Sequence, residues 1–280
     1  MMTSDGFNAP APCEENLLLA IDVGNTNITF GVFDGEKIEH QWRIHTNRVK
    51  TSDEYGIELK QILMHFGYAR NCIKDVIISS VVPDLVYQMT AMSVRYLKKK
   101  PMIVGSHTKT GINIKVDNPK ELGSDRVVNA VGAYALYGGP VLIIDLGTAI
   151  KHDVVTAKGE YLGGTIAPGI GIAMDALFSR TSKLPKIELS KPEHVIGRNT
   201  IEAMRSGIVN GYLGLIDHLT LEVIQELTSR GMERPKVVAT GGFSSLIISS
   251  SSFVDVVNRD LTLQGLRIVY ERTIKSEKNG

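Results

Sequence analysis

The chain has 280 residues, enough for two lobes of ordinary size, and its 43% hydrophobic and 22% charged residues are a globular composition. Its 31 Lys+Arg against 30 Asp+Glu leave a formal charge of +1, which excludes a broad electrostatic attraction to nucleic acid or to anionic membrane. Two cysteines, Cys13 and Cys72, supply neither a disulfide framework nor a zinc cluster, and no apolar run reaches the length of a membrane span.

Residues 1–15 carry Asp5, Glu14 and Glu15 and no Lys or Arg. They lack the positive start and apolar core of a signal peptide. We read them as a short disordered extension and the protein as cytoplasmic. Order is expected from Asn16. Leu17–Ile21 is a continuous apolar run, as in a strand buried on both faces, and it ends in Asp22-Val23-Gly24-Asn25-Thr26. A strand over Asn27–Phe33, a tight turn at Asp34-Gly35 and a returning strand over Lys37–Ile44 follow. Residues 53–68 place Ile57, Leu59, Ile62, Leu63 and Phe66 on one helical face. Asp75–Val82 is a predicted strand, Pro83 opens a helix running to about Leu97, and Pro101–Val104 is a short strand. A helix over Asp125–Leu136 leads to Tyr137-Gly138-Gly139-Pro140, the expected boundary between lobes at 16–137 and 138–280.

The second half repeats the first. Val141–Ile144 is another buried strand, ending in Asp145-Leu146-Gly147-Thr148, and strands over Ile150–Thr156 and Tyr161–Ile166 flank a turn at Ala157-Lys158-Gly159. Thr200–Leu227 is helical, with Gly207, Gly211 and Gly214 at helical spacing. Glycine weakens a helix, so this stripe suggests close approach to another helix or to a ligand. A strand over Lys236–Ala239 ends in Thr240-Gly241-Gly242. Alternating strands and helices imply an α/β fold. The doubled order of apolar strand, Asp-x-Gly and hairpin implies an internal duplication with a site between the halves.

A strand-end Asp-x-Gly loop suits nucleotide phosphates. Glycine lets backbone N–H groups approach, a carboxylate holds Mg²⁺, and small hydroxyl or amide side chains complete the cradle. Asp22 to Asn27 supplies all three, and Asp145 to Thr148 supplies them again. Thr240-Gly241-Gly242-Phe243 suits a flat adenine lying against backbone. Each loop taken alone reads equally well as a hairpin corner. No P-loop and no dinucleotide fingerprint is present.

These residues resemble the acetate kinase, sugar kinase, Hsp70 and actin superfamily, and within it type III pantothenate kinase. The resemblance runs over nearly the whole chain from Leu19. It is carried by Ile21-Asp22-Val23-Gly24-Asn25-Thr26-Asn27, Ser79-Ser80-Val81-Val82-Pro83 and Asn118 to Arg126. It continues through Asp145 to Ala149, Tyr161 to Gly169, Ile196 to Thr200, Ala239 to Gly242 and Leu261 to Leu266. It implies two ribonuclease H-like lobes with an ATP cleft between them. It also implies phosphorylation of pantothenate by ATP with Mg²⁺, a monovalent cation (K⁺ or ammonium) and a homodimer. It assigns Asp22, Val23, Gly24, Asn25, Thr26, Asn27, Ile28 and Thr29 to the ATP phosphates, and Thr148 to ATP. Gly123, Ser124, Asp125 and Arg126 go to pantothenate, with Asp125 as proton acceptor. Asp145 goes to the monovalent cation, and Thr200 to pantothenate at the subunit interface. Read from the residues alone, Asp125 also suits a helix start paired with Arg126, Arg126 a surface cation, and Thr200 a helix cap.

Two places depart from the family pattern. Two threonines and an aromatic before Asp are replaced by Ile150-Lys151-His152-Asp153, and Val116 stands where a tyrosine touches pantothenate. Three readings of Lys151 follow: its ammonium replaces the monovalent cation beside Asp145, it points to solvent from an edge strand, or with Ile150 it crowds the phosphate site. His152 and Trp42 are assigned no role. The departures keep open a catalytically impaired relative that binds nucleotide or a pantothenate-like ligand and acts through a partner. A ribonuclease H-type nuclease would need several carboxylates around two metals and a basic face. A sugar or acetate kinase of the same superfamily would differ by substrate.

Overall fold

The computed structural model describes residues 16–244 and 248–278. The expected extension at 1–15, with Cys13, lies outside the described residues. Cys72 is fully buried and is not a free thiol.

By contacts the chain forms two compact units, and they are interleaved along the sequence. The first takes the chain through Thr110, then Gly123–Val128 and the stretch from Thr262 onward; the second takes Gly111–Leu122 and Asn129–Leu261. The single boundary expected near residue 137 differs from this division. Helix α3 (Ser124–Tyr137) starts in one unit and ends in the other, and the last helix returns to the first unit.

The first unit holds a five-stranded sheet in the order β3-β2-β1-β4-β5. Its strands are β1 (Leu17–Val23), β2 (Asn27–Asp34), β3 (Lys37–His45), β4 (Ile73–Ser80) and β5 (Met102–Ile103). β1, β2 and β3 run antiparallel, whereas β4 pairs parallel to β1, and β5 parallel to β4. Leu19, Ile21, Ile28, Phe30, Val32, Ile73 and Ile78 form the core with Tyr55, Leu59 and Leu63 of α1 (Ser52–His65) and Leu85, Met89 and Met92 of α2 (Pro83–Met92). Thr51 and Glu54 form a complete capping box at the start of α1. Trp42 stacks on Phe30 at 5.1 Å between centroids, a packing role.

The second unit repeats this order and adds one strand: β11-β10-β7-β8-β9-β6. It is built from β6 (Asn113–Ile114), β7 (Val141–Leu146), β8 (Ala149–Val155), β9 (Glu160–Pro168), β10 (Lys236–Thr240) and β11 (Val256–Val257). β7, β8 and β9 are antiparallel, and β10 and β11 run parallel to β7, so β7 corresponds to β1 and β10 to β4. This repeated arrangement is the duplication expected from the sequence. The α/β class holds as well.

Helices α4 (Ile170–Ser179) and α6 (Leu261–Lys278) were not anticipated; α5 (Thr200–Ser229) was. Within α6, a Cβ at Gly265 would collide with the Val128 carbonyl oxygen, so this glycine permits close helix packing. The α5 glycines behave otherwise. A Cβ on Gly207, Gly211 or Gly214 would meet no described atom within 4 Å, so the close approach expected there is not made among the described residues. Among the described residues no helix is long and apolar enough to cross a membrane.

Candidate active site

The first Asp-x-Gly loop is a tight corner between β1 and β2. The Gly24 N–H donates to the Asn27 carbonyl at 3.0 Å, and a Cβ on Gly24 would lie 3.0 Å from that same oxygen. Asn25, Thr26 and Asn27 are exposed, and Asp22 is half-buried opposite Thr29 in the β1–β2 register. Val23 and Ile28 are fully buried in the core, so their side chains cannot reach a nucleotide and only their backbone faces the loop.

The segment after β3 clamps this corner. Thr46 donates its hydroxyl to the Gly24 carbonyl at 2.7 Å and its N–H to the Thr26 carbonyl at 3.0 Å. Arg48 Nη2 donates to Asn25 Oδ1 at 3.1 Å. Tyr55, fully buried, fixes the segment from below: its hydroxyl donates to the Asn47 carbonyl at 2.7 Å and accepts the Asn47 N–H at 3.1 Å.

Asp125 reaches the same end of the same sheet. In the parallel β1–β4 register Asp22 lies beside Ser79 and Val23 beside Ser80. The Ser79 and Ser124 hydroxyls are 2.9 Å apart; Ser124 Oγ also accepts the Ser80 N–H at 3.1 Å and donates to the Ser80 carbonyl at 3.0 Å. A serine hydroxyl has one proton and two lone pairs, so these contacts use its full capacity. The start of α3 is thereby fastened to the ends of β4. Asp125 Oδ1 accepts the Arg126 N–H at 2.8 Å, and a Cβ on Gly123 would sit 2.6 Å from that oxygen. Gly123 therefore makes room for the Asp125 carboxylate.

The second loop differs in one respect. Asp145 stands opposite Lys151 in the β7–β8 register, and Lys151 Nζ is 2.9 Å from Asp145 Oδ2, with the two side chains 13% and 14% exposed. β8 lies between β7 and β9, so Lys151 is not on an edge strand. Ile150 is fully buried in the core of the second unit, so it does not crowd the loop. Asn129, buried at the middle of α3, brings its amide to 3.5 Å from Asp145 Oδ2. Gly241, with φ +95°, passes over the end of β7: a Cβ there would be 2.6 Å from the Leu146 carbonyl carbon and oxygen. Packing against β7 thus accounts for the glycine of Thr240-Gly241. Thr148 is exposed, and its carbonyl accepts the Gly169 N–H at 3.1 Å. His152 is fully buried, with Nδ1 3.1 Å from Thr165 Oγ1. Burial lowers its pKa to about 4, a shift only partly offset by the Ile216 backbone.

Val116 is half-buried and packs with Ile112, Ile114 and Leu122 against the core of the second unit. Thr200 is the exposed first residue of α5 and does not cap it. The cap is Asn199, whose Oδ1 accepts the Glu202 N–H at 2.9 Å. The Arg198 N–H and the Asn199 amide bind the Glu202 carboxylate, holding it below the usual carboxylate range.

The model of the type III pantothenate kinase family matches residues 18–222. The type III pantothenate kinases of Geobacillus kaustophilus and of Geobacillus sp. WCH70 are 46% and 45% identical to the chain, each over 94% of it and 100% of the relative. The chain belongs to the type III pantothenate kinase family. Members phosphorylate pantothenate in coenzyme A biosynthesis, and the chain is accordingly a phosphotransferase. A Campylobacter jejuni protein assigned to the Baf family of transcriptional activators shares the fold, with a TM-score of 0.56 at 17% identity over 94% of this chain and 100% of that one.

For a pantothenate kinase the donor sets can be tested directly. Mg²⁺ bound to ATP needs only one or two protein carboxylates, since phosphate oxygens and water fill the other positions. Asp22, half-buried beside an exposed corner, fits that requirement. No group of three or more metal-binding side chains occurs among the described residues. A monovalent cation at Asp145 does not fit, because the Lys151 ammonium already sits against that carboxylate. Thr46, Arg48, Ser79 and Asn129 escaped the sequence reading as site residues. Ser79 lies in the Ser79-Ser80-Val81-Val82-Pro83 motif, but nothing in the sequence shows that its hydroxyl meets Ser124.

Proposed function

We propose that Asp125 is the proton acceptor for the pantothenate hydroxyl and that the Gly24–Asn27 corner carries the ATP phosphates. The observation that carries this reading is the chain of contacts from Asp22, through its strand neighbour Ser79, to Ser124 and so to Asp125. It joins a carboxylate suited to a phosphate-bound metal and a carboxylate suited to an alcohol proton at one end of one sheet. Phosphoryl transfer needs positioning and charge neutralisation more than covalent chemistry. The hydroxyl oxygen bonds to the γ-phosphorus, the bond to the β,γ-bridging oxygen breaks, and the hydroxyl proton passes to the Asp125 carboxylate. Mg²⁺ on the nucleotide would supply charge neutralisation, with Asp22 as its protein contact.

Arg126, planar and permanently charged, suits the pantothenate carboxylate. Gly123 and Ser124 support Asp125, and Ser124 meets substrate through its backbone alone. The resemblance assigns Thr148 to ATP and Thr200 to pantothenate; Val116 offers that substrate only apolar contact. A homodimer is supported by the exposed Val195 and Ile196 before α5 and by glycines of α5 that face open space. Lys151 supplies the positive charge at Asp145 in place of K⁺ or ammonium. The composition supports a cytoplasmic protein.

The test is a coupled assay with pantothenate, ATP and Mg²⁺ beside Asp125→Asn. Turnover that the substitution abolishes supports the reading. A folded protein that binds nucleotide without turnover points instead to the impaired relative.

A further inference from the structure

We propose that Arg48 is a cationic side-chain ligand for the nucleotide's phosphates, held in place by Asn25. The proposal rests on the assignment of the Gly24–Asn27 corner to ATP. Arg48 Nη2 is fixed at 3.1 Å from Asn25 Oδ1, at the exposed tip of that corner. A guanidinium has five N–H donors, and Asn25 takes one of them. Arg48 forms no ion pair among the described residues. Arg95 and Arg234, by contrast, are each held by a carboxylate: Arg95 pairs with Asp53 at 3.0 Å and Arg234 with Asp255 at 3.0 Å.

The segment bearing Arg48 is also built to stay where it is. Thr46 joins it to Gly24 and Thr26, the buried Tyr55 hydroxyl brackets Asn47, and the Val49 N–H donates to Asn47 Oδ1 at 3.1 Å. A cation on such a segment loses little conformational freedom when an anion arrives. The first loop otherwise contains no Lys or Arg from Asp22 to Thr29, so the negative charge of a triphosphate has no nearby cationic side chain on its own hairpin turn. Arg48 provides one from the following segment. Its planar fork matches two phosphate oxygens at once.

The experiment is calorimetric titration of the full chain with MgATP, MgADP, AMP and adenosine, without pantothenate. Arg48→Ala should weaken MgATP binding about tenfold or more while leaving adenosine binding unchanged. Arg48→Lys, which keeps the charge, should recover part of the loss. Arg48→Gln keeps a donor for Asn25 but removes the charge. If the Gln variant binds MgATP as the unmodified protein does, Arg48 only buttresses Asn25 and the proposal is overturned. Equal weakening of adenosine would overturn it too. Failure of the unmodified protein to bind MgATP would sink both this proposal and the nucleotide assignment. Intact binding without pantothenate turnover would count against the activity alone.

Discussion

Lys151 and Asp145 are direct cross-strand partners, with an ammonium nitrogen 2.9 Å from a carboxylate oxygen and both side chains largely shielded from water. In the first unit the corresponding pair is Thr29 opposite Asp22. The second unit thus carries a cation where the first carries a threonine. Turnover should therefore proceed in buffers free of K⁺ and ammonium, and Lys151→Thr should bring dependence on them. A strict cation requirement in the unmodified enzyme would count against Lys151 in that role. Removing one partner of a shielded ion pair costs about 3–5 kcal/mol in fully buried cases, so the Lys151→Thr thermal midpoint should also fall.

Asp125→Asn should lower kcat by about 10²–10⁴-fold, the usual contribution of a positioned base. One contact of the carboxylate, with the Arg126 N–H, can be made equally by an amide oxygen. A fall in kcat without a matching fall in the thermal midpoint would assign the loss to catalysis, and an unchanged kcat would overturn the role of Asp125 as proton acceptor. Gly123→Ala should lower kcat as well, since its Cβ would lie 2.6 Å from Asp125 Oδ1 and displace the carboxylate.

Ser124→Ala removes the hydroxyl that satisfies both the Ser80 N–H and the Ser80 carbonyl. Leaving such groups unpaired costs about 1–3 kcal/mol. Because Ser124 acts on Asp125 through β4, kcat should fall with little change in the KM for pantothenate. A rise in that KM alone would instead make the Ser124 hydroxyl a substrate contact. Ser79→Ala, at a fully buried position, should act in the same direction and non-additively with Ser124→Ala.

His152 gives the fold an acid limb. Its folded pKa of about 4 lies below the 6.5 of the unfolded chain, so the unfolded state binds the proton first as pH falls. Its contribution is fully present above about pH 6.5 and is lost progressively down to about pH 4, up to about 3 kcal/mol in all. His152→Phe should flatten this limb in melts taken across pH 4–7. An unchanged limb would place its origin in other groups.

Gly241→Ala should be among the most damaging single changes. Its φ of +95° is disfavoured for any side chain, and the added Cβ would press on the Leu146 backbone, which cannot give way as a side-chain end would. Circular dichroism melts would show a large fall in midpoint. A shift of no more than a degree would mean that the β10 loop relaxes freely.

How legible the fold was depended on the length and repetition of each signal. The apolar runs at Leu17–Ile21 and Val141–Ile144 marked β1 and β7, and the two hairpins after them followed from alternation and turn residues. β6 and β11 are two residues long, too short for any periodicity to develop. α6 contains Gly265, a poor helix former that stands there because the Val128 carbonyl leaves no room for a Cβ, a contact no local pattern shows. The boundary near residue 137 came from Gly138-Gly139-Pro140, a true local break. Long-range contacts nevertheless assign α6 to the first unit and Gly111–Leu122 to the second.

By itself the sequence determined the class of fold, its duplication, the two strand-end acidic loops and the family. All of these are written in local order and spacing. Only the tertiary structure decided which side chains those loops hold. Ile150 turns into the core while Lys151 turns to Asp145, because successive residues of a strand face opposite ways. Ser124 spends its hydroxyl on β4, and Arg48 reaches Asn25 from 23 residues away. A pairing between distant positions depends on how strands align, and no single stretch of the chain records that alignment.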